Sequence, residues 1–301
     1  MAKEVKINSK SIADNDFYVN LPLSYIAFNR SYLDFFLSYG LCPELGLDAF
    51  VIDNKELSWH REIVGQLEAN GLQCSIHLPF CDLQPGSMDA YILEATRQRL
   101  DSALEVAALY QPRLLVGHAY FSPLYKHHSR DWLELAAETW STALSKWAEH
   151  PPLMLENTRE TEPWILAALA DSLSQDNVGI CLDTGHWYSF GEGKKRENLQ
   201  DWIAALAPYI GHLHFSDNGG DNDDHLAMGQ GEIPWKEFFK YLQKYNLHPT
   251  FTLEPHNKSA LQQDLIFLRQ NPHWAGECSV DCQKLEEIAL RVIADSSFSL
   301  P

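Results

Sequence analysis

The sequence predicts an α/β protein, a single (β/α)8 barrel with a short C-terminal helical extension. Three observations predict it. Short apolar runs alternate with amphipathic stretches along almost the whole chain, and the strand-like runs number eight. No glycine-rich dinucleotide fingerprint follows any of them, which removes the support for a Rossmann reading. Strands separated by helices pair in parallel through right-handed crossovers, and an eightfold repeat favours a closed barrel over an open sheet.

The elements follow in order. Tyr18 to Ala27 reads as the first strand, inside a stretch from Asn20 to Ser38 that supplies the least regular unit. Leu47 to Ile52 reads as the second strand and Leu57 to Ala69 as its helix. Gln73 to His77 is followed by Leu93 to Tyr110, whose apolar residues recur at spacings of three and four, the helical period. The same period marks Trp132 to His150 after the strand Arg113 to His118. Leu153 to Glu156, Val178 to Asp183, Ile210 to Phe215 and Thr250 to Glu254 complete the strands. Several are rich in β-branched or large apolar residues, as strands buried on both faces require. Glu162 to Leu173, Leu199 to Leu206, Pro234 to Tyr245 and Ala260 to Gln270 are their helices. Beyond them, residues 275–301 form the extension, with a helix over Gln283 to Ala294 expected to cap the barrel from outside.

The 301 residues, 45% hydrophobic and 21% charged, suffice for one large core. No linker or charge block divides them, so one domain over 1–301 is expected, preceded by a polar segment at 1–16. No apolar run approaches the roughly 20 residues of a membrane-spanning helix, and membranes are not an expected partner. The N-terminus lacks the apolar centre of a secretory signal, and six cysteines are too sparse for a disulfide scaffold. A reducing, cytoplasmic location is expected. The net charge of -18 argues against nucleic acid as a partner, because that affinity comes largely from Lys and Arg. Nothing in the sequence sets an oligomeric state.

The informative residues stand at the strand ends. His77, His118, Glu156, Asp183 with His186, His212 with His214, and Glu254 close six consecutive strands, and DNDDHLAMGQG adds Asp223 and His225. Barrel enzymes build their sites on that side. A charged or imidazole side chain ending a buried apolar strand is costly unless paired or bound to metal. Divalent cations take nitrogen and oxygen donors of this kind. One strand-end histidine alone is most often a hydrogen-bonded core residue, and one Asp or Glu is as easily a helix cap. So many together point to a metal centre. His212 sits deeper in its strand than His214 and is left out of the ligand set.

The motifs H-x-P-F at His77, E-N-T at Glu156, D-T-x-H at Asp183, H-x-x-D at His214, D-x-H-x-x-x-G-x-G from Asp223 and L-E-P at Leu253 occur in this order. In these the sequence resembles the xylose isomerase-like TIM-barrel superfamily. That superfamily includes the endonuclease IV (AP endonuclease family 2) group and the sugar-phosphate isomerases and epimerases. Resemblance to the endonuclease IV-like phosphodiesterases implies up to three divalent ions, zinc foremost and manganese as the alternative. One would take His77, His118 and Glu156; a second Glu156, Asp183, His214 and Glu254; a third His186, Asp223 and His225. Glu156, Glu254 and His186 would be the catalytic residues. Resemblance to the isomerases and epimerases implies one metal on Glu156, Asp183, His214 and Glu254. The substrate is accordingly expected to be a small phosphorylated molecule or a sugar. One phosphodiesterase branch of the superfamily acts in cobamide remodelling. The sequence departs from the endonuclease IV pattern after His118, where Ala119-Tyr120-Phe121 replaces Pro-Gly, and after Glu156, where Asn157-Thr158-Arg159-Glu160-Thr161 lacks glycines.

Arg159 and Lys194, the latter in the basic run Lys194-Lys195-Arg196, are candidates for a substrate phosphate, and Phe80 and Trp187 for packing against the substrate. Cys278 and Cys282 lack the two further partners a metal would need.

Overall fold

The computed structural model describes residues 17–295, so the polar segment 1–16 and the last residues of the extension lie outside the described chain. Eight parallel strands close into a barrel in sequence order. They are β1 (Tyr18–Pro22), β2 (Cys42–Gly46), β3 (Ser75–His77), β4 (Leu115–His118), β5 (Leu153–Glu156), β6 (Val178–Asp183), β7 (Ile210–Phe215) and β8 (Thr250–Leu253). β8 returns to pair with β1, Tyr18 opposite Thr252. Helices surround the barrel, and Gly117 of β4 shows how closely one of them packs. A Cβ there would stand 2.7 Å from the Trp140 ring of helix Ser129–Ser145.

Strands three to eight fall where the sequence places them; the first two do not. The first strand ends at Pro22, and the chain turns at once into helix Leu23–Phe28, then helix Ser31–Tyr39. The second strand is Cys42–Gly46 rather than Leu47 to Ile52. The apolar run AFVID is instead helix Ala49–Asn54, because the Asp48 side chain accepts the Val51 amide at 3.0 Å and caps it. The true strand, CPELG, was masked by its proline, glycine and glutamate.

That glutamate helps build a polar layer inside the barrel. Glu44 Oε2 accepts hydrogen bonds from Ser75 Oγ at 3.1 Å and Thr252 Oγ1 at 2.9 Å. Beside it His212 spans the hydroxyls of Thr250 and Thr252, at 2.7 and 2.9 Å. Both ring nitrogens of His212 are thereby occupied, in keeping with its exclusion from the ligand set.

The extension packs helix Cys282–Ala294 against helices Lys258–Gln270 and Ser31–Tyr39, outside the barrel. Tyr39 hydrogen-bonds Asp295, and Lys258 pairs with Asp295 at 3.3 Å. Cys278 is buried and Cys282 is exposed. Among the described residues no helix is long and apolar enough to cross a membrane.

Candidate metal centre

The strand ends converge. His77 donates Nδ1–H to its neighbour's carbonyl, Leu78 O, at 2.8 Å, which leaves Nε2 facing Glu156 Oε2 at 3.0 Å. His118 approaches the same oxygen at 3.3 Å. The other oxygen, Glu156 Oε1, lies 3.0 Å from His186 Nδ1. One carboxylate on β5 therefore meets histidines from three other parts of the chain.

Asn157, next in the E-N-T motif, ties β5 to β6. Its side chain accepts the Asp183 amide at 2.8 Å and donates to the Asp183 carbonyl at 3.1 Å. Asp183 then caps the short helix Thr184–Ser189, Oδ1 accepting the His186 amide at 2.6 Å. Its Oδ2 is left over, pointing into the cluster. On β7, His214 has Nε2 3.0 Å from Glu44 Oε1, while Nδ1 looks toward Glu254 Oε1 at 3.2 Å, Glu156 Oε2 at 3.6 Å and Asp183 Oδ2 at 3.8 Å.

The third group comes from a loop. Asp223 Oδ2 sits 3.0 Å from His225 Nε2 and 3.3 Å from His186 Nε2. His225 is held with φ +47°, a left-handed conformation that costs a side-chain-bearing residue about 1–3 kcal/mol, and its Nδ1 reaches the Glu254 carbonyl at 3.2 Å. The loop is pinned from beneath by Asp217. Fully buried, it accepts from Gly229 N at 2.8 Å, Ile233 N at 3.1 Å and Trp235 Nε1 at 2.8 Å. Gly185 lets the loop approach, since a Cβ there would collide with Ser216 Oγ and lie 3.0 Å from Asp223 Oδ1.

Burial drives these ionisations apart. Burial pushes the Asp183 carboxyl up, and with Glu254, Glu156 and Asp223 beside it the group lies well above the usual carboxylate range despite the pull of His186. Burial also penalises ionised Glu156, yet His118 and His214 outweigh it and hold Glu156 well below that range. Glu254 is brought down to about 2, the charge of His214 outweighing burial. His225 is lifted to about 9 against its burial, chiefly by its hydrogen bond to Asp223. A bound cation would balance so many acids and imidazoles in one buried space.

The leftover atoms test that idea. Asp183 Oδ2, His214 Nδ1 and Asp223 Oδ1 are buried without a hydrogen-bond partner, although buried polar atoms are nearly always satisfied. Asp183 Oδ2 and His214 Nδ1 face the cluster, while Asp223 Oδ1 turns toward Gly185 and its Oδ2 toward His186 and His225. Candidate ligating atoms of His77, His118 and Glu156, and of Glu156, Asp183 and His186, lie within 4.8 Å of one another in each trio; Glu44 and Glu254 flank His214 at the same range, Glu44 on its Nε2 side and Glu254 on its Nδ1 side. A mixed nitrogen and oxygen set suits zinc or manganese.

All nine ligands expected from the sequence thus meet at one end of the barrel. Above them opens a cavity of about 510 Å3, walled by seven of the nine, with Asp183 and His214 fully buried beneath. Phe80 lines it, half-exposed, its ring stacked 4.4 Å from that of His118. Arg159 lies over the Phe190 ring at 4.7 Å, and Phe190 in turn stacks on His186 at 5.7 Å. Neither residue lines the cavity, but through Phe190 the Arg159 guanidinium stands beside its His186 wall.

Trp187 and Lys194 are not brought there. The Trp187 indole is buried and donates to Asn198 at 2.9 Å. Lys194 pairs with Glu232 at 3.0 Å and donates to the Gly219 carbonyl, so it fastens the Asp223 loop. Arg196 in the same basic run is taken by Glu162 at 2.6 Å.

Sequence reasoning missed Glu44, Tyr25, Arg99 and His256. Glu44 lay in a segment not read as a strand; the others reach the cavity only through the fold. The departures after His118 and Glu156 share one explanation: the buried Glu160 carboxylate accepts the amides of Phe121 and Thr158, both at 2.5 Å, and clamps the two loops together.

Residues 40–271 match the family described as Xylose isomerase-like TIM barrel. The probable endonuclease 4 of Mycobacterium leprae is 27% identical over 177 residues, 56% of this chain and 67% of that protein. Among solved structures, a D-tagatose 3-epimerase-like protein superposes with a TM-score of 0.70 at 21% identity, over 87% of this chain and 98% of that one. The TTHB071 protein from Thermus thermophilus, soaked with ZnCl2, gives 0.67 at 24% identity, over 87% and 98%.

Proposed function

The chain belongs to the xylose isomerase-like TIM-barrel family, and from that premise we propose that it is a metal-dependent hydrolase of phosphoesters, acting on a small phosphorylated molecule rather than DNA. The observation that carries this reading is the third ligand group. Asp223 stands between His186 and His225 at 3.3 and 3.0 Å, on a loop fastened by Asp217 and Lys194. Moving a proton between neighbouring carbons needs only the four central ligands; in-line attack on phosphorus benefits from more than one cation.

In this reading zinc or manganese is held by the three groups described, and supplies a water acidified to near neutrality and a clamp for the charge developing on phosphate oxygens. The chain's own residues do the rest. Glu156, held ionised by its histidines, joins the first group to the second. Glu254 meets the same Nδ1 edge of His214 as Glu156 and, with it, would orient the attacking water. His186 positions Asp223 and lies against the reacting group. Arg159, beside the His186 wall, receives a phosphate oxygen, and Phe80 covers the first group and excludes bulk water.

A small substrate is favoured by charge as well as by size. The net charge is -18, and the rim cation Arg99 is already paired with Asp53 at 2.6 Å. A cobamide nucleotide loop is the finer candidate that the family resemblance supplies. A count of six cysteines in 301 residues, too sparse for a disulfide scaffold, supports a reducing, cytoplasmic setting.

The second reading is a single-metal sugar or sugar-phosphate epimerase or isomerase. It is favoured by the convergence of Glu156 and Glu254 on Nδ1 of His214, 3.6 and 3.2 Å away, which puts two carboxylates close enough to serve adjacent carbons. Metal content decides between the two. The hydrolase is expected to hold two or three ions per chain, to lose one on His225→Ala, and to lose cleavage of bis(p-nitrophenyl) phosphate by about 100-fold or more. One ion per chain, unchanged by His225→Ala, with turnover of ketoses instead, overturns the hydrolase reading.

A further inference from the structure

A second chamber of about 160 Å3 opens beside the metal cavity, between the end of β1 and the start of helix Lys258–Gln270. The two share Asn20, Pro22, Tyr25, His225, Glu254 and His256 along their boundary. A molecule with its ester against the ligands therefore reaches the chamber without leaving the protein.

The walls describe what belongs inside. Away from the boundary they are mostly apolar and aromatic, with Tyr32, Phe35, Phe36 and Leu261 prominent. Tyr25 and Tyr32 pack at 5.2 Å, and His256 stacks on His225 at 4.3 Å and 20°, so a flat ring borders the entrance. The two cations of the described lining are both engaged, Lys258 with Asp295 and His225 with Asp223. The chamber thus offers no charge complement to a second phosphate. Its volume is close to the roughly 150 Å3 of an apolar cavity known to accept benzene. One six-membered ring fits that volume.

We propose that the substrate's arm next to the scissile phosphoester ends in a single uncharged planar ring, and that this chamber holds it. The proposal rests on the hydrolase reading for the group placed beside the ring. Burying a ring face against aromatic walls contributes both apolar transfer and ring-stacking energy.

The test is equilibrium binding of phenyl phosphate and methyl phosphate to the zinc-loaded chain, by calorimetry. Phenyl phosphate is expected to bind at least tenfold more tightly. Leu261→Trp, which fills the chamber, is expected to bring the two ligands within twofold while zinc content and methyl phosphate affinity stay as in the wild type. Tyr25 is half-exposed, so Tyr25→Ala does not threaten the core, and it is expected to cut the preference about threefold. Equal affinities in the wild type, or a preference that survives in both variants, overturn the proposal and leave the hydrolase reading standing. Failure of the hydrolase reading looks different: neither phosphate binds the zinc-loaded chain, which overturns both.

Discussion

Glu44 Oε1 lies 3.0 Å from Nε2 of His214, and both side chains are fully shielded from solvent. The carboxylate fixes which face of the imidazole is free, turning Nδ1 toward Glu254, Asp183 and Glu156. Such an outer carboxylate orients a ligating histidine and raises its basicity. Glu44→Gln keeps the shape and the hydrogen-bonding capacity but removes the charge. It is expected to weaken metal binding at the central site by about 10–100-fold, measured by competition with a chromophoric chelator. Unchanged affinity would show that Glu44 serves only the barrel interior.

Metal removal is expected to destabilise the fold. Without cations, Asp183 faces three other carboxylates, and buried polar atoms of Asp183, His214 and Asp223 have no hydrogen-bond partner. Ions that bind only the folded chain add stability by mass action, about 4 kcal/mol at a thousand times the dissociation constant. Thermal unfolding with EDTA, followed by zinc or manganese titration, should show a midpoint lower by several degrees and then restored. A midpoint indifferent to both ions would refute the metal centre.

Gly185→Ala tests the third group without touching a ligand. The added methyl would collide with Ser216 Oγ and crowd Asp223. Overpacking of this kind costs about 1–3 kcal/mol. The loop is expected to yield, so that bound metal falls by about one ion per chain in elemental analysis while the other groups stay loaded. Full occupancy in a stably folded variant would contradict the placement of Asp223.

Asp264 gives a pH dependence away from the metal ligands. Burial raises its carboxyl from 3.8 to about 8, the Met228 amide pulling it down and Asp217 pushing it further up. The folded-state value exceeds the unfolded one. The stabilising contribution is therefore complete below pH 3.8 and is lost as pH rises through about 8. Asp264→Asn keeps an acceptor for the Met228 amide, 2.7 Å away, and does not ionise. Its midpoint relative to the wild type is expected to climb by a few degrees between pH 5 and pH 8.5. A difference that stays flat across that range would rule out a buried neutral carboxyl.

Most of the barrel was legible because strands three to eight are apolar runs that end in chemistry-bearing residues. β6 and β7 begin and end where the pattern places them, at Val178–Asp183 and Ile210–Phe215. The ligands were legible for the same reason, since a carboxylate or imidazole at the end of a buried strand stands out. What escaped was local competition and support from a distance. Asp48 makes a helix of a run that alternation alone reads as a strand. Lys194 looks like a phosphate binder in a basic turn, yet its partner Glu232 lies far along the chain. Glu44 and the ring-sized chamber depend on β1, β2 and β8 meeting, which no local window reports.

The Asp223 loop also has a modular character. Two of the three ligands of the third group, Asp223 and His225, arrive on one surface connection, moored by the carboxylate of Asp217 and the ammonium of Lys194. The third, His186, follows directly from the helix that Asp183 caps. Completion of the third group thus depends on one surface segment, while His77 and His118 of the first group belong to the barrel strands themselves. Grafting residues 218–232 between members of the family offers a route to exchange their chemistries while the eight strands stay as they are.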